Sequence, residues 1–361
     1  MLAALLLRLA EAARRGGLPL LGGAGALVLL LSVRASGAPD ARYALATDVA
    51  ATVGYLAAVV YGAFPLASDR ARRRGEIARA SPCPSPRWAL GSAAGAAAVA
   101  FLTTALLFAV AGAGVAATGA MPTRETTRIG DAGSLWFPVP RIRVPPGATH
   151  LRFLIRADLV GEARVGMPAA PTIDVDGGAH VVYPDRPVTV PISSGSVQLA
   201  NRTPEFRVRL ELGEVRALGR ERSFLANALG SSIAPALGAA AIAALAAAAS
   251  AHLSAPVAAL LAALLLSLGA LKGFLTESLA HGGAARAAAE AEQIEEPPLR
   301  KAAAAVVGTL LGALPDLARL DASAEVSMGD WVGARRAPPA LLLVAIALLL
   351  ATAVGAPGVR R

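Results

Sequence analysis

Residues 69–87 read DRARRRGEIARASPCPSPR, a basic segment caught between two long apolar runs. It carries six arginines (Arg70, Arg72, Arg73, Arg74, Arg79 and Arg87) and the prolines Pro82, Pro84 and Pro86, whereas the runs on either side carry almost no charge. Arginine clusters next to apolar segments stay on the cytoplasmic side of a bilayer, so such a loop fixes which way the neighbouring segments face.

The composition agrees with a membrane setting. Of 361 residues 55% are hydrophobic and only 16% charged, and the mean hydropathy is +0.56, which is too apolar for an ordinary soluble domain. The net charge of +9 would suit nucleic-acid binding if the arginines lined an aromatic-interleaved face. They sit instead at the ends of apolar runs, so no nucleic-acid partner is expected and the lipid bilayer is. Cys83 is the only cysteine, which excludes an intrachain disulfide and a multi-cysteine metal site.

Working outward from the loop, the apolar run before it spans about 44–66 and the run after it 88–117. Each exceeds the roughly 20 residues that a helix needs to cross a bilayer, the second by enough to demand tilt or continuation beyond it. A shorter uncharged run, 17–33, precedes them, so residues 17–118 are expected to hold three spans with the cytoplasmic loop at 67–87. Residues 1–16 place Leu2, Leu5, Leu6, Leu9 and Ala13 on one helical face and Arg8, Glu11 and Arg15 on the other, the pattern of an amphipathic interfacial helix. The nine arginines of the N-terminal helix and the loop outweigh Arg34 and Arg42 across the membrane, which puts the N-terminus and the loop inside.

Towards the C-terminus, 225–249 and 255–271 read as a fourth and fifth span, within residues 223–273, and 338–354 as a sixth, within residues 337–361. Residues 274–336 read as an extracytoplasmic loop opening with an Ala/Glu-rich helix to Glu296 and closing with a polar stretch, 315–336. Within it the 13-residue apolar run 302–314 is too short to cross and reads as re-entrant or interfacial. Arg335 and Arg336 run against the charge rule, because they lie on the outer side of the last span.

Residues 119–222 differ from all of this. Prolines and glycines recur at short intervals between β-rich runs at 150–157, 172–175, 187–192, 197–200 and 206–212, several alternating apolar with polar. The fold class expected is therefore an α-helical polytopic membrane protein of about six spans with an inserted extracytoplasmic all-β, sandwich-like domain. Asp174-Val175-Asp176-Gly177-Gly178 lacks the spacing and closing acidic residue of a calcium-binding EF-hand loop, and reads better as a turn with Asx-type hydrogen bonds. His150 and His180 lack a ligand pattern. No nucleophile, base and orienting acid stand in a recognisable arrangement, so no catalytic, cofactor-binding or metal residue is assigned.

Arg74-Gly75 followed by Pro84-Ser85-Pro86-Arg87 and then Gly91, Phe224-Leu225-Ala226-Asn227 entering the fourth span, Ala255-Pro256 opening the fifth, and Leu314-Pro315-Asp316-Leu317 with Asp321 before the last form an ordered set. In this order and spacing the chain resembles the permease subunits of type-2 ABC transporters. The resemblance implies an exporter in which two membrane subunits, a homodimer or heterodimer, pair with cytoplasmic ATPases in the bacterial inner membrane. It assigns the ATPase contact to Arg74, Gly75, Pro84 and Arg87, on a short helix between a flexible glycine and stiffening prolines. The chain departs from the family where Arg72 and Arg73 replace an acidic residue before the arginine-glycine pair, and in the inserted β-domain. No phosphate-binding Gly-x-x-x-x-Gly-Lys-Ser/Thr occurs in the sequence, so ATP would be bound by the partner and this chain would carry no cofactor. The spans also lack the intramembrane ionisable pairs of ion-driven carriers. A different reading of the same layout is a non-transporting anchor that displays the β-domain to a ligand or protein.

Overall fold

The computed structural model describes residues 10–11, 18–35, 38–64, 85–119, 123–130, 133–160, 170–192, 195–291, 309 and 316–360. The chain divides into a helical unit, Met1–Met121 with Phe224–Met328 and Val332–Arg361, and a β-unit, Pro122–Ser223 with Gly329–Trp331.

The helical unit contains α1 (Leu18–Arg34), α2 (Pro39–Ala63), α3 (Ser85–Ala117), α4 (Phe224–Ser250), α5 (Ala255–Ala291), the short α6 (Ser323–Ser327) and α7 (Ala337–Arg360). Of these, α2, α3, α4, α5 and α7 are long and apolar enough to cross a bilayer; the protein is a multi-pass helical membrane protein with a separate β region. The first expected span is α1, whose 17 residues reach about 25 Å at 1.5 Å per residue, short of the ~30 Å hydrocarbon core. Crossing-length helices among the described residues thus number five rather than about six.

Helix ends differ from expectation for local reasons. Helix α2 starts at Pro39, five residues early, because proline suits the first helical position and Asp40 complements the positive end of the helix dipole. Helix α3 starts at Ser85, three residues before the expected 88, with Pro86 inside its first turn, since a first-turn residue has no intrahelical N–H bond to lose. Helix α5 runs 37 residues without interruption, so the Ala/Glu-rich stretch up to Ala291 prolongs the fifth span and is not a separate loop helix; alanine and glutamate favour helix on their own. The loop at 67–84, the run at 302–314 apart from Thr309, and residues 1–16 apart from 10–11 lie outside the described residues.

Helix α4 is the centre of this unit: 83% of its apolar window is buried, against 17% for α5 and 22% for α7. Its interior is alanine-rich, with Ala239, Ala243, Ala246 and Ala247 packed in one cluster with Ala58 of α2 and Ala93, Ala96 and Ala100 of α3. Side chains this small let helix backbones approach closely, the usual means of association in a bilayer where apolar burial alone drives little. At Gly62 a Cβ would lie 2.5 Å from the carbonyl oxygen of Ala243. The expected polar stretch before α7 is in fact partly core: Leu317, Leu320, Ala322, Val326 and Val332 are buried.

The β-unit holds β1 (Thr123–Arg128), β2 (Ser134–Trp136), β3 (Ile142–Arg143), β4 (His150–Phe153), β5 (Ile155–Leu159), β6 (Thr172–Val175), β7 (Gly178–Val181), β8 (Val188–Pro191), β9 (Ser196–Val197), β10 (Leu199–Asn201), β11 (Phe206–Glu211) and β12 (Arg216–Arg222). They pair antiparallel in the orders β1-β12-β4-β8, β10-β6-β7, β2-β11-β5 and β3-β9. Leu151, Phe153, Ile155, Ile173, Val190, Val197, Leu199, Val208, Leu210 and Ala217 share one apolar core to which all four sheets contribute. The run at 150–157 is two strands, not one: it breaks at Leu154, and its halves pair in different sheets.

Candidate functional site

Of the residues expected to contact an ATPase, Arg74, Gly75 and Pro84 lie outside the described residues. Arg87 is exposed in the first turn of α3. No geometry among the four is therefore on view.

Of the other motif residues, Phe224, Asn227 and Asp321 gather near the start of α7. Phe224 meets Tyr43 edge to face, with ring centroids 5.2 Å apart. Asn227, fully buried, accepts hydrogen bonds through Oδ1 from the backbone N–H groups of Val332 at 2.8 Å and Gly333 at 2.9 Å. A buried amide that satisfies two backbone donors fixes the path of the chain. Gly230 permits it, since a Cβ there would stand 2.9 Å from Cα of Gly333. Asp321 Oδ1 accepts from the N–H of Ser323 at 2.8 Å, opening α6. Arg336 pairs with Glu325 at 2.7 Å and donates to the carbonyls of Arg319 and Asp321. Its guanidinium thus ties the 319–325 segment to the start of α7.

In the β-unit the distinctive chemistry is a row of arginines. Arg128 on β1 stands opposite Arg216 on β12, and Arg216 opposite Arg152 on β4, so three guanidinium-bearing side chains share one row of one sheet face. Like charges directly opposite each other are destabilising, and the row is answered by Asp330, 2% exposed. Asp330 Oδ1 accepts from Arg152 Nη1 at 2.6 Å, and Oδ2 accepts from Arg216 Nη1. The backbone beside it is held as a short parallel addition to β1: Arg124 N–H donates to Gly329 O at 2.9 Å and Trp331 N–H to Arg124 O at 2.8 Å. The Arg222 guanidinium lies 5.6 Å from the centroid of Trp331.

Arg124 also pairs with Glu221 at 2.5 Å and donates to Nδ1 of His150. A guanidinium can only donate, so Nδ1 is the acceptor and is unprotonated in this arrangement. Burial first, then the charge of Arg124, lowers the His150 pKa below its ordinary value. At Asp330, two guanidiniums each donate one N–H to a different oxygen of the same carboxylate. Among the described residues no group of three or more His, Cys, Asp or Glu is placed to hold a metal ion.

At the turn between β6 and β7, Asp174 Oδ1 accepts from the N–H of Gly177 at 2.7 Å and Asp176 Oδ1 from the N–H of Gln198 at 2.9 Å. Asp176 and Gly177 have φ of 50° and 91°, as a two-residue hairpin loop requires. The Arg202 hydrogen bond, chief among its causes, lowers the Asp174 pKa.

Sequence reasoning missed Asp330 altogether. Its partners lie 114 and 178 positions away, and Gly-Asp-Trp at 329–331 sat in a stretch read as polar loop. The available signal was the surplus of arginines on the β-rich runs, which needs carboxylates from somewhere. No family model, curated protein or solved structure matches this chain. The class that fold and site define is a multi-pass helical membrane protein whose β-unit is completed by a segment just before the last helix.

Proposed function

We propose that this chain is the permease subunit of an ATP-driven ABC exporter in a bacterial inner membrane. It acts as one of a pair of membrane subunits and is driven by separate cytoplasmic ATPases. The observation that carries the reading is the braced helical unit. Helix α4 is enclosed by neighbouring helices, α3 leads directly out of the arginine-proline loop, and Asn227, Asp321 and Arg336 lock the entry to α7. A unit tied in this way transmits a push applied at one loop to several helices at once. In this reading α1 is the sixth crossing, its shortness met by local thinning of the bilayer, the N-terminus, the 67–87 loop and the C-terminus are cytoplasmic, and the β-unit is an extracytoplasmic sandwich. Arg74, Gly75, Pro84 and Arg87 form the ATPase contact.

The anchor reading draws on the β-unit, which has its own apolar core and its own polar centre. Affinity purification of the tagged chain from mild detergent separates the two. The exporter reading expects an ATPase at roughly equal stoichiometry, lost when Arg74, Gly75, Pro84 and Arg87 are replaced together. If no ATPase is recovered from native membranes, the exporter reading fails and the anchor reading stands.

A further inference from the structure

We propose that the row Arg128–Arg216–Arg152 is a binding site for a phosphate-class oxyanion, in which Asp330 is the resident, exchangeable ligand. Three observations lead there. The register puts three arginines directly opposite one another on neighbouring strands, an arrangement that a bound anion stabilises. The anion present arrives on a strap of three residues, Gly329–Trp331, whose backbone exchanges two hydrogen bonds with Arg124 of β1. The third member of the row, Arg128, is exposed and adjoins Arg216. Among the described residues, Nη2 of Arg216 pairs with Glu214 at a loose 3.8 Å, and Glu214 is itself half exposed.

An incoming oxyanion therefore meets Arg128 first, shares Arg216 next, and competes with the Asp330 carboxylate for the guanidinium that both need. Phosphate suits the place because guanidinium forks match its oxygens bidentately and its charge exceeds that of one carboxylate. The same chemistry is offered by free phosphate and by a phospholipid headgroup. When it binds, the strap carrying Trp331 is released from β1, so occupancy is read at Trp331 itself.

The test uses the full chain in nanodiscs of neutral lipid with Trp88 and Trp136 replaced by phenylalanine, which leaves Trp331 as reporter. Inorganic phosphate is titrated against chloride at constant ionic strength. The expected result is a saturable red shift of Trp331 emission in the otherwise native protein. Asp330→Asn, which keeps the shape and removes the competing charge, should bind phosphate at least about tenfold more tightly, because the competent state no longer has to be freed of its internal ligand. Arg128→Ala in the otherwise native background should weaken the response severalfold, and it does not depend on the Asp330 variant folding. Repeating the titration in phosphatidylglycerol nanodiscs identifies the source: a shift already complete without added phosphate assigns the site to headgroups, whereas an unchanged titration assigns it to the free ion. The proposal is overturned if Asp330→Asn takes up phosphate no better than chloride, or if Arg128→Ala leaves the native titration unchanged. A response confined to Asp330→Asn also overturns exchange, leaving Asp330 as a permanent tie.

Discussion

In the helical unit the most buried element, α4, packs through alanine and glycine. In the β-unit the buried side chains are Phe153, Leu151, Ile155, Ile173, Leu199 and Leu210, and the ties around them are arginines answered by carboxylates. The difference follows from where each must satisfy its backbone. A helix closes its own hydrogen bonds, so its partners need only fit closely, and the smallest side chains fit best. Strands bond to neighbours distant in sequence, and a small sheet assembly must cement those pairings with large apolar residues and cross-strand charge pairs. One unit is therefore sensitive to volume, the other to charge.

The largest expected effect tests the charge side. Asp330→Ala leaves Arg152 and Arg216 facing each other without their carboxylate, and breaking a buried pair by removing one partner costs about 3 kcal/mol or more. Both guanidiniums retain some exposure, at 14% and 25%, which keeps the figure at the lower end. The population of opened β-unit should rise about a hundredfold, read as protease cleavage within 122–223 while the helical unit stays intact. Cleavage rising less than about threefold would show that the pair is screened by solvent and that the β-unit rests on its apolar core alone.

The volume side is tested at Gly62. Adding one methyl there meets the Ala243 carbonyl oxygen at 2.5 Å, Ala246 Cβ at 2.6 Å and Ala243 Cα at 2.9 Å, and two of these are backbone atoms that cannot rotate away. Gly62→Ala should cost about 2 kcal/mol through overpacking, although alanine is the better helix former by close to 1 kcal/mol. Thermal unfolding of the purified protein, followed by the helical signal, checks the sign. An unchanged or raised midpoint would mean that α2 and α4 are not pressed together and that the helical unit is as tolerant of volume as the β-unit.

These sensitivities also explain what the sequence made readable. Long apolar runs announce helices because lipid forbids other spanning backbones, so α2, α3, α4, α5 and α7 were visible as runs. Their ends were not, since Pro39 and Pro86 act through helix-end geometry that hydropathy ignores. Strands with apolar alternation, such as β6, β8 and β11, were legible, whereas β1, Thr-Arg-Glu-Thr-Thr-Arg, carries no apolar alternation and is a strand only because β12 and the Gly329–Trp331 backbone pair with it. Asn227 was noticed as part of a motif, but its work of holding Val332 and Gly333 emerges only when residues 105 and 106 positions apart meet. The Asp330 centre was illegible for the same reason, and charge balance was the sole trace of it.

The smallest expected effect separates charge from volume within the β-unit itself. His150 has its pKa lowered below 6.5 by burial and by Arg124. As pH falls, the unfolded chain takes up the proton first. The stability contributed by neutral His150 is therefore complete above about pH 6.5 and declines below it until the folded-state pKa is passed. Asp174, whose pKa is lowered by Arg202 from 3.8, acts in the same direction but in a separate window, losing its contribution only as pH falls below that value. Protease resistance of the β-unit should accordingly weaken between pH 7 and pH 5, and His150→Gln should flatten that part of the profile while leaving the steeper acid limb in place. An identical slope in both proteins would mean that Glu221, paired with Arg124 at 2.5 Å, offsets both the burial of His150 and the charge of Arg124.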